Sequence, residues 1–182
     1  YRLQKWILSN TFLTKNMQVL VYGKWEDQSK NIKPFFTATY SEKEIKKSDF
    51  QKSDFLNGIK FLFVGTLSPG KQPLYALQIV HELVQKGYSA TIDFYGEGNQ
   101  KELLKDYIIS NNLQEIAILN GNQSKEVIEK AYQNCHFLIL PSKSEGWPKV
   151  VAEAMFWNCL PIVTKISCVP YMLDNGERGV LL

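Results

Sequence analysis

The chain predicts an α/β protein built on a doubly wound, parallel sheet of Rossmann-like type. Three observations carry that reading. From Ile59 onward, short apolar runs alternate with segments whose apolar residues recur at helical spacing. The first two runs end in glycine, at Gly65 and Gly96. The helical segments are about ten residues long, the length of a crossover between parallel strands.

The first 57 residues follow a different pattern. A helical segment is expected from Leu3 to Phe12 and a strand from Val19 to Tyr22, followed by Lys- and Ser-rich text from Ser41 to Ser53 that reads as a solvated linker or loop. A boundary is placed near residue 57, so that residues 1–57 close a preceding domain and residues 58–182 form the main one. Ile59 to Val64 is near-continuously apolar, as a fully buried parallel strand should be. Leu74 to Val84 then repeats at helical spacing until Gly87 stops it. The unit recurs as a strand over Ala90 to Tyr95, a helix over Gln100 to Ser110 and a strand over Ile116 to Leu119. A helix from Ser124, read as its N-cap, to Gln133 leads to a strand over His136 to Leu140. Trp147 to Trp157 is the next helix, Leu160 to Thr164 the fifth strand of this series, and Gly179 to Leu182 the start of a sixth. No repeat of solenoid period is present.

Bulk properties narrow the function classes. With 182 residues, 45% hydrophobic and 21% charged, the chain can bury a core of ordinary size. A formal net charge of +3, spread among acids, offers no footprint for nucleic acid. Cys135, Cys159 and Cys168 form no CxxC pair, which argues against a zinc site or a disulfide framework and fits a reducing cytosol; they are expected as small buried hydrophobes. His81 and His136 are read as structural. The apolar runs are too short to span a bilayer, so membrane contact would be peripheral. A start at Tyr1 and a strand-like end lead us to expect a piece of a longer protein.

In an open parallel sheet, ligands bind beyond the carboxyl ends of the strands, so the strand-to-helix turns are the places to look. The first, Gly65-Thr66-Leu67-Ser68-Pro69-Gly70-Lys71, combines glycines for close backbone approach with a lysine that can meet a phosphate. Its spacing is neither that of a dinucleotide fingerprint nor that of a nucleoside-triphosphate loop. The turn after the fourth strand, Pro141 to Pro148, carries Glu145 and leads into a helix carrying Glu153. Read as helix, the two carboxylates lie ~12 Å apart along the axis, too far to share a proton but suited to gripping two ends of one extended polar ligand. The N–H groups between them favour a phosphate. Trp147 is read either as a cap on the core or as a stacking surface.

This arrangement resembles the Glu-x7-Glu motif of retaining GT-B glycosyltransferases. The resemblance takes in Phe61-Leu62-Phe63-Val64-Gly65-x-Leu67-Ser68-Pro69-x-Lys71, Gly96-x-Gly98, Leu138-x-Leu140-Pro141-Ser142, Glu145-Gly146-x-Pro148, Glu153-Ala154-Met155, Pro161-Ile162-Val163-Thr164 and Asp174-Asn175-Gly176-x-x-Gly179. It implies the C-terminal, donor-binding domain of a GT-B fold, truncated at its C-terminal end, and a nucleotide-diphosphate sugar as substrate. It also implies that Glu145 contacts the sugar and acts with Lys71 in catalysis, Lys71 neutralising the diphosphate. Glu153 would hold the ribose. Gly146, Trp147, Pro148, Lys149 and Val150 would line the sugar and phosphates, with Gly65, Thr66, Gly96 and Gly121 completing the donor-binding set. No metal or separate cofactor is implied. The acceptor would be a glycan or a lipid-linked glycan, the setting cell-surface polysaccharide synthesis in the cytoplasm at the inner face of the membrane, and the acceptor groups would come from an N-terminal domain missing here, without which the fragment alone would be inactive. The chain departs from the family in having Thr66 where arginine is usual, which removes a bidentate phosphate donor, and Asn158 where glycine is usual, in a segment one residue longer than the common pattern. A non-catalytic sugar-nucleotide-binding module and a sugar-nucleotide epimerase are the alternative readings.

Overall fold

Asn10 ends the first helix earlier than its apolar pattern does. In a computed structural model that describes residues 2–15, 17–22, 29–35, 55 and 57–182, α1 covers Arg2–Ser9. Beyond it, the Asn10 side-chain carbonyl accepts from the Phe12 and Leu13 amides at 3.0 and 3.2 Å, a local turn that competes with helix. β1 (Val19–Tyr22) pairs in parallel with β2 (Ile32–Phe35), a strand the sequence pattern did not announce. Asn31 braces this region, donating to the Leu8 carbonyl at 2.8 Å and the Thr14 hydroxyl at 2.6 Å. These elements belong to one compact unit, Tyr1–Ala38, and the rest of the chain, Thr39–Leu182, to a second. The stretch from 41 to 53, read as a linker, lies outside the described residues.

The second unit holds a six-stranded sheet, formed by β3 (Ile59–Val64), β4 (Ala90–Tyr95), β5 (Ala117–Gly121), β6 (Phe137–Leu140), β7 (Leu160–Val163) and β8 (Val180–Leu181). Every pairing is parallel. Between the strands run α2 (Pro73–Gln85), α3 (Lys101–Ser110), α4 (Lys125–Gln133), α5 (Lys149–Phe156) and the short α6 (Val169–Met172). The strand order is β5-β4-β3-β6-β7-β8. The chain therefore builds outward from β3 to β5, returns, and builds outward again from β6. This reversal sets the β3 and β6 turns side by side at the carboxyl edge, where open α/β sheets bind ligands. The α/β class and parallel sheet are as expected.

The central strands are buried because both faces are covered. Leu62, Phe63, Ile92, Phe94, Leu138, Ile139 and Leu140 are all essentially inaccessible, each contributing about 1.5–3 kcal/mol by removal from water. α2 begins with Pro73 and ends as predicted at Gly87, whose φ of 88° suits a glycine stop. Ser124 does precede α4, but its side chain makes no cap hydrogen bond. Its hydroxyl instead serves the exposed Glu126 carboxylate, which is held below the usual acid range first by that bond. Asn158 takes φ 57°, the left-handed turn its side chain was expected to tolerate.

The two histidines are structural. His136 Nδ1 accepts from the Lys60 amide at 2.9 Å, which fixes the proton on Nε2. His81 bonds the Tyr107 hydroxyl at 3.0 Å and Gln85 at 3.1 Å. All three cysteines are buried, with Cys135 and Cys159 in contact sulfur to sulfur. Among the described residues no helix is long and apolar enough to cross a membrane.

Candidate functional site

Three glycine-containing turns interlock at the carboxyl edge. The Gly65 amide donates to the Tyr95 carbonyl at 2.9 Å, and the Gly96 amide to the Gly121 carbonyl at 2.8 Å. The Leu67 amide reaches the Glu97 carbonyl at 3.0 Å. This close approach demands glycine, because a Cβ at Gly96 would lie 2.0 Å from the Gly65 carbonyl oxygen. Beside the turns opens a cleft of about 350 Å³, lined by Gly65, Thr66, Gly96, Tyr95, Asn122 and Gln123 among others. Burial, and next the Asp93 carboxylate, push the Tyr95 phenol up, so it stays a neutral hydroxyl.

The β3 and β6 turns are tied by a hydrogen bond from the Lys143 amide to the Gly70 carbonyl, 2.8 Å long. That tie brings Lys71 against Glu145, with Nζ to Oε1 at 2.5 Å. The Glu145 side chain is 7% exposed and that of Lys71 29%. A carboxylate this buried needs a compensating partner, and Lys71 supplies it. The next residue is held from the other side. The Cys168 thiol donates to the Gly146 carbonyl at 2.9 Å, and the Ser167 hydroxyl reaches the same oxygen at 3.5 Å. Burial pushes the Cys168 thiol up, with Glu145 adding to the effect, so it persists as a donor thiol.

α5 begins at Lys149, two residues later than expected, with Pro148 at its cap in extended conformation. The segment 145–148 is therefore loop, and Glu153 lies about one turn inside the helix, so a separation counted wholly along a helix axis does not hold. Glu153 is half-buried and accepts from the Tyr132 hydroxyl at 3.2 Å. Trp147 and Val150 are partly buried and pack against the core; Pro148 is buried, and Gly146 and Lys149 are exposed.

The structure thus joins Lys71 to Glu145 and gathers Gly65, Thr66 and Gly96 in one cleft. Gly121 stands at the same edge with φ 66°, its α-carbon facing the Glu97 carboxylate. Asn122, Gln123, Tyr95, Tyr132, Ser167 and Cys168 were not foreseen. The first two directly follow the Gly121 turn, and reading that turn as closely as the other two would have found them. Among the described residues no group of three or more His, Cys, Asp or Glu side chains is arranged to hold a metal ion.

The family model of glycosyl transferases group 1 matches residues 44–182. The chain belongs to that family. An uncharacterized glycosyltransferase of Methanocaldococcus jannaschii, MJ1178, is 28% identical over 120 residues, which is 66% of this chain and 32% of the relative. Protein CapJ of Staphylococcus aureus is 27% identical over 153 residues, 78% of this chain and 37% of its own. The chain spans about a third of the length of these curated relatives. Among solved structures, S. aureus TarM with fondaparinux, alpha-GlcNAc-glycerol and UDP superposes with TM-score 0.73 at 19% identity, covering 100% of this chain and 36% of TarM. The lipopolysaccharide outer core galactosyltransferase WaaB, in its apo form, gives TM-score 0.59 at 25% identity, covering 69% of this chain and 36% of WaaB. The α/β fold of this group 1 chain is thus the GT-B type expected from its sequence.

Proposed function

We propose that this chain supplies the donor-binding part of a glycosyltransferase that moves a sugar from a nucleotide-diphosphate sugar to an acceptor with retention of configuration. The Lys71–Glu145 ion pair at the topological switch point, beside a glycine-lined cleft, carries the reading. In the ligand-free chain the two charges satisfy each other. A diphosphate entering along the glycine turns offers Lys71 a second anion, and Glu145 is then freed to accept hydrogen bonds from the sugar hydroxyls. The N–H groups of Gly146, Trp147, Lys149 and Val150 serve the sugar and phosphates, Pro148 having none to offer, and Glu153 takes the ribose hydroxyls. As the sugar–phosphate bond breaks, negative charge accumulates on the departing diphosphate, and Lys71 stabilises it more than it stabilises the bound donor. No covalent nucleophile is required if departure and attack share one face of the sugar. The acceptor we infer is a glycan or lipid-linked glycan, met at the inner face of a membrane and held mainly by a further domain of the full-length protein.

Calorimetric titration of the chain with UDP, GDP and ADP tests the donor role. One of them should bind, and Glu153→Ala should weaken that binding about tenfold or more, ~1.4 kcal/mol. Absence of binding to all three nucleotides would sink the proposal. Proton NMR of the product made by the full-length protein reads retention directly.

A further inference from the structure

We propose that Tyr132 is a positioning residue that fixes the ribose-binding carboxylate of Glu153; this rests on the donor-site reading above. Tyr132 lies on α4, 21 residues before Glu153, and no motif spacing links the two. Its side chain is fully buried, whereas Glu153 is only half-buried. A fully buried phenol must place its O–H on an acceptor, and the Glu153 Oε2 is one, at 3.2 Å.

The depth of each residue gives the contact its direction. α4 and α5 both begin at the carboxyl edge, where the cleft opens. Ile128 lines the cleft, and Tyr132 follows it by four residues, on the same face of α4 one turn deeper. Counting ~1.5 Å per residue, Glu153 lies ~6 Å into α5 and Tyr132 ~10 Å into α4. Helical side chains lean toward the N-terminus, so both side chains lean toward the carboxyl edge of the sheet. Tyr132, fully buried, reaches the half-buried Glu153 from the interior side. One carboxylate oxygen is thereby held from the protein side.

Calorimetry with UDP, GDP and ADP and with the 2′,3′-dideoxy form of each decides the matter, on the wild-type chain and on Tyr132→Phe, Glu153→Gln and the double variant. Tyr132→Phe should weaken ribonucleotide binding about three- to tenfold, the scale of one hydrogen bond to a charged group. It should leave dideoxynucleotide binding unchanged and add nothing to Glu153→Gln. An equal loss for both nucleotide forms, or no loss, overturns the positioning role. If Glu153→Gln leaves the ribo-to-dideoxy preference intact, or no nucleotide binds, the ribose reading itself fails and this proposal fails with it. Should Tyr132→Phe not fold, 3-fluorotyrosine at position 132 keeps the ring and donates a stronger hydrogen bond; the ribo-to-dideoxy preference should rise, and an unchanged preference counts against the proposal.

Discussion

Removing Lys71 should harm the chain more than removing its partner. In Lys71→Met the Glu145 carboxylate, 7% exposed, loses the cation 2.5 Å away and is left largely dehydrated. Breaking a buried pair from one side costs about 3–5 kcal/mol, but the 29% exposure of Lys71 shows that some water reaches the site, so about 2–3 kcal/mol is the expectation. Glu145→Gln leaves a lysine that can swing into solvent, at a cost of about 1 kcal/mol. The double variant should then be more stable than Lys71→Met alone, with a coupling of about 1–3 kcal/mol. Urea unfolding followed by tryptophan fluorescence measures all four proteins, since Trp147 and Trp157 both pack in or against the core of the second unit. Equal single losses below about 0.5 kcal/mol with no coupling, within the range of an exposed pair, would show that the contact is a solvated surface pair and would refute the argument.

Two further predictions concern the frame around the site. Gly96→Ala puts a Cβ 2.0 Å from a backbone oxygen at φ 138°; it should cost more than about 3 kcal/mol and lower the Tm by about 10 °C in thermal unfolding. Asp93 is raised above its usual value chiefly by burial, against the opposing pull of Asn120 and Lys60. A raised acid favours the folded state only where it is protonated, an advantage complete below its unfolded pKa and lost as pH rises through the folded one. Asp93→Asn should therefore raise the Tm at pH 7 and give no gain below about pH 4; a gain of equal size at both pH values would contradict the burial argument.

The strands of the large sheet were legible because parallel strands covered on both faces must be apolar along their whole length. Ala90 to Tyr95 is observed with the ends that were read from the sequence. β2 escaped notice for the opposite reason: it contains Pro34 and only Ile32 of its four residues is buried. α6 is too short, at four residues, to display a period. At the site, local spacing was enough to single out Lys71 and Glu145 but could not say that they touch, since only the strand order makes their turns neighbours. The helix start was misplaced because Pro148 was read as helical when it serves as the cap. Tyr132 had no local signal, its partner being reached through packing alone.

Lys71 and Glu145 are separated by 74 residues, and this separation bears on how the protein folds. β3, β4 and β5 can pair through successive short crossovers, whereas β6 must return past them to reach the free side of β3. Long-range closures of this kind are slow to form. The proposed donor site should therefore be a late product of folding, absent from a nascent chain that has not yet delivered β6, and the appearance of the proposed nucleotide binding during refolding would time the docking of the second half of the sheet.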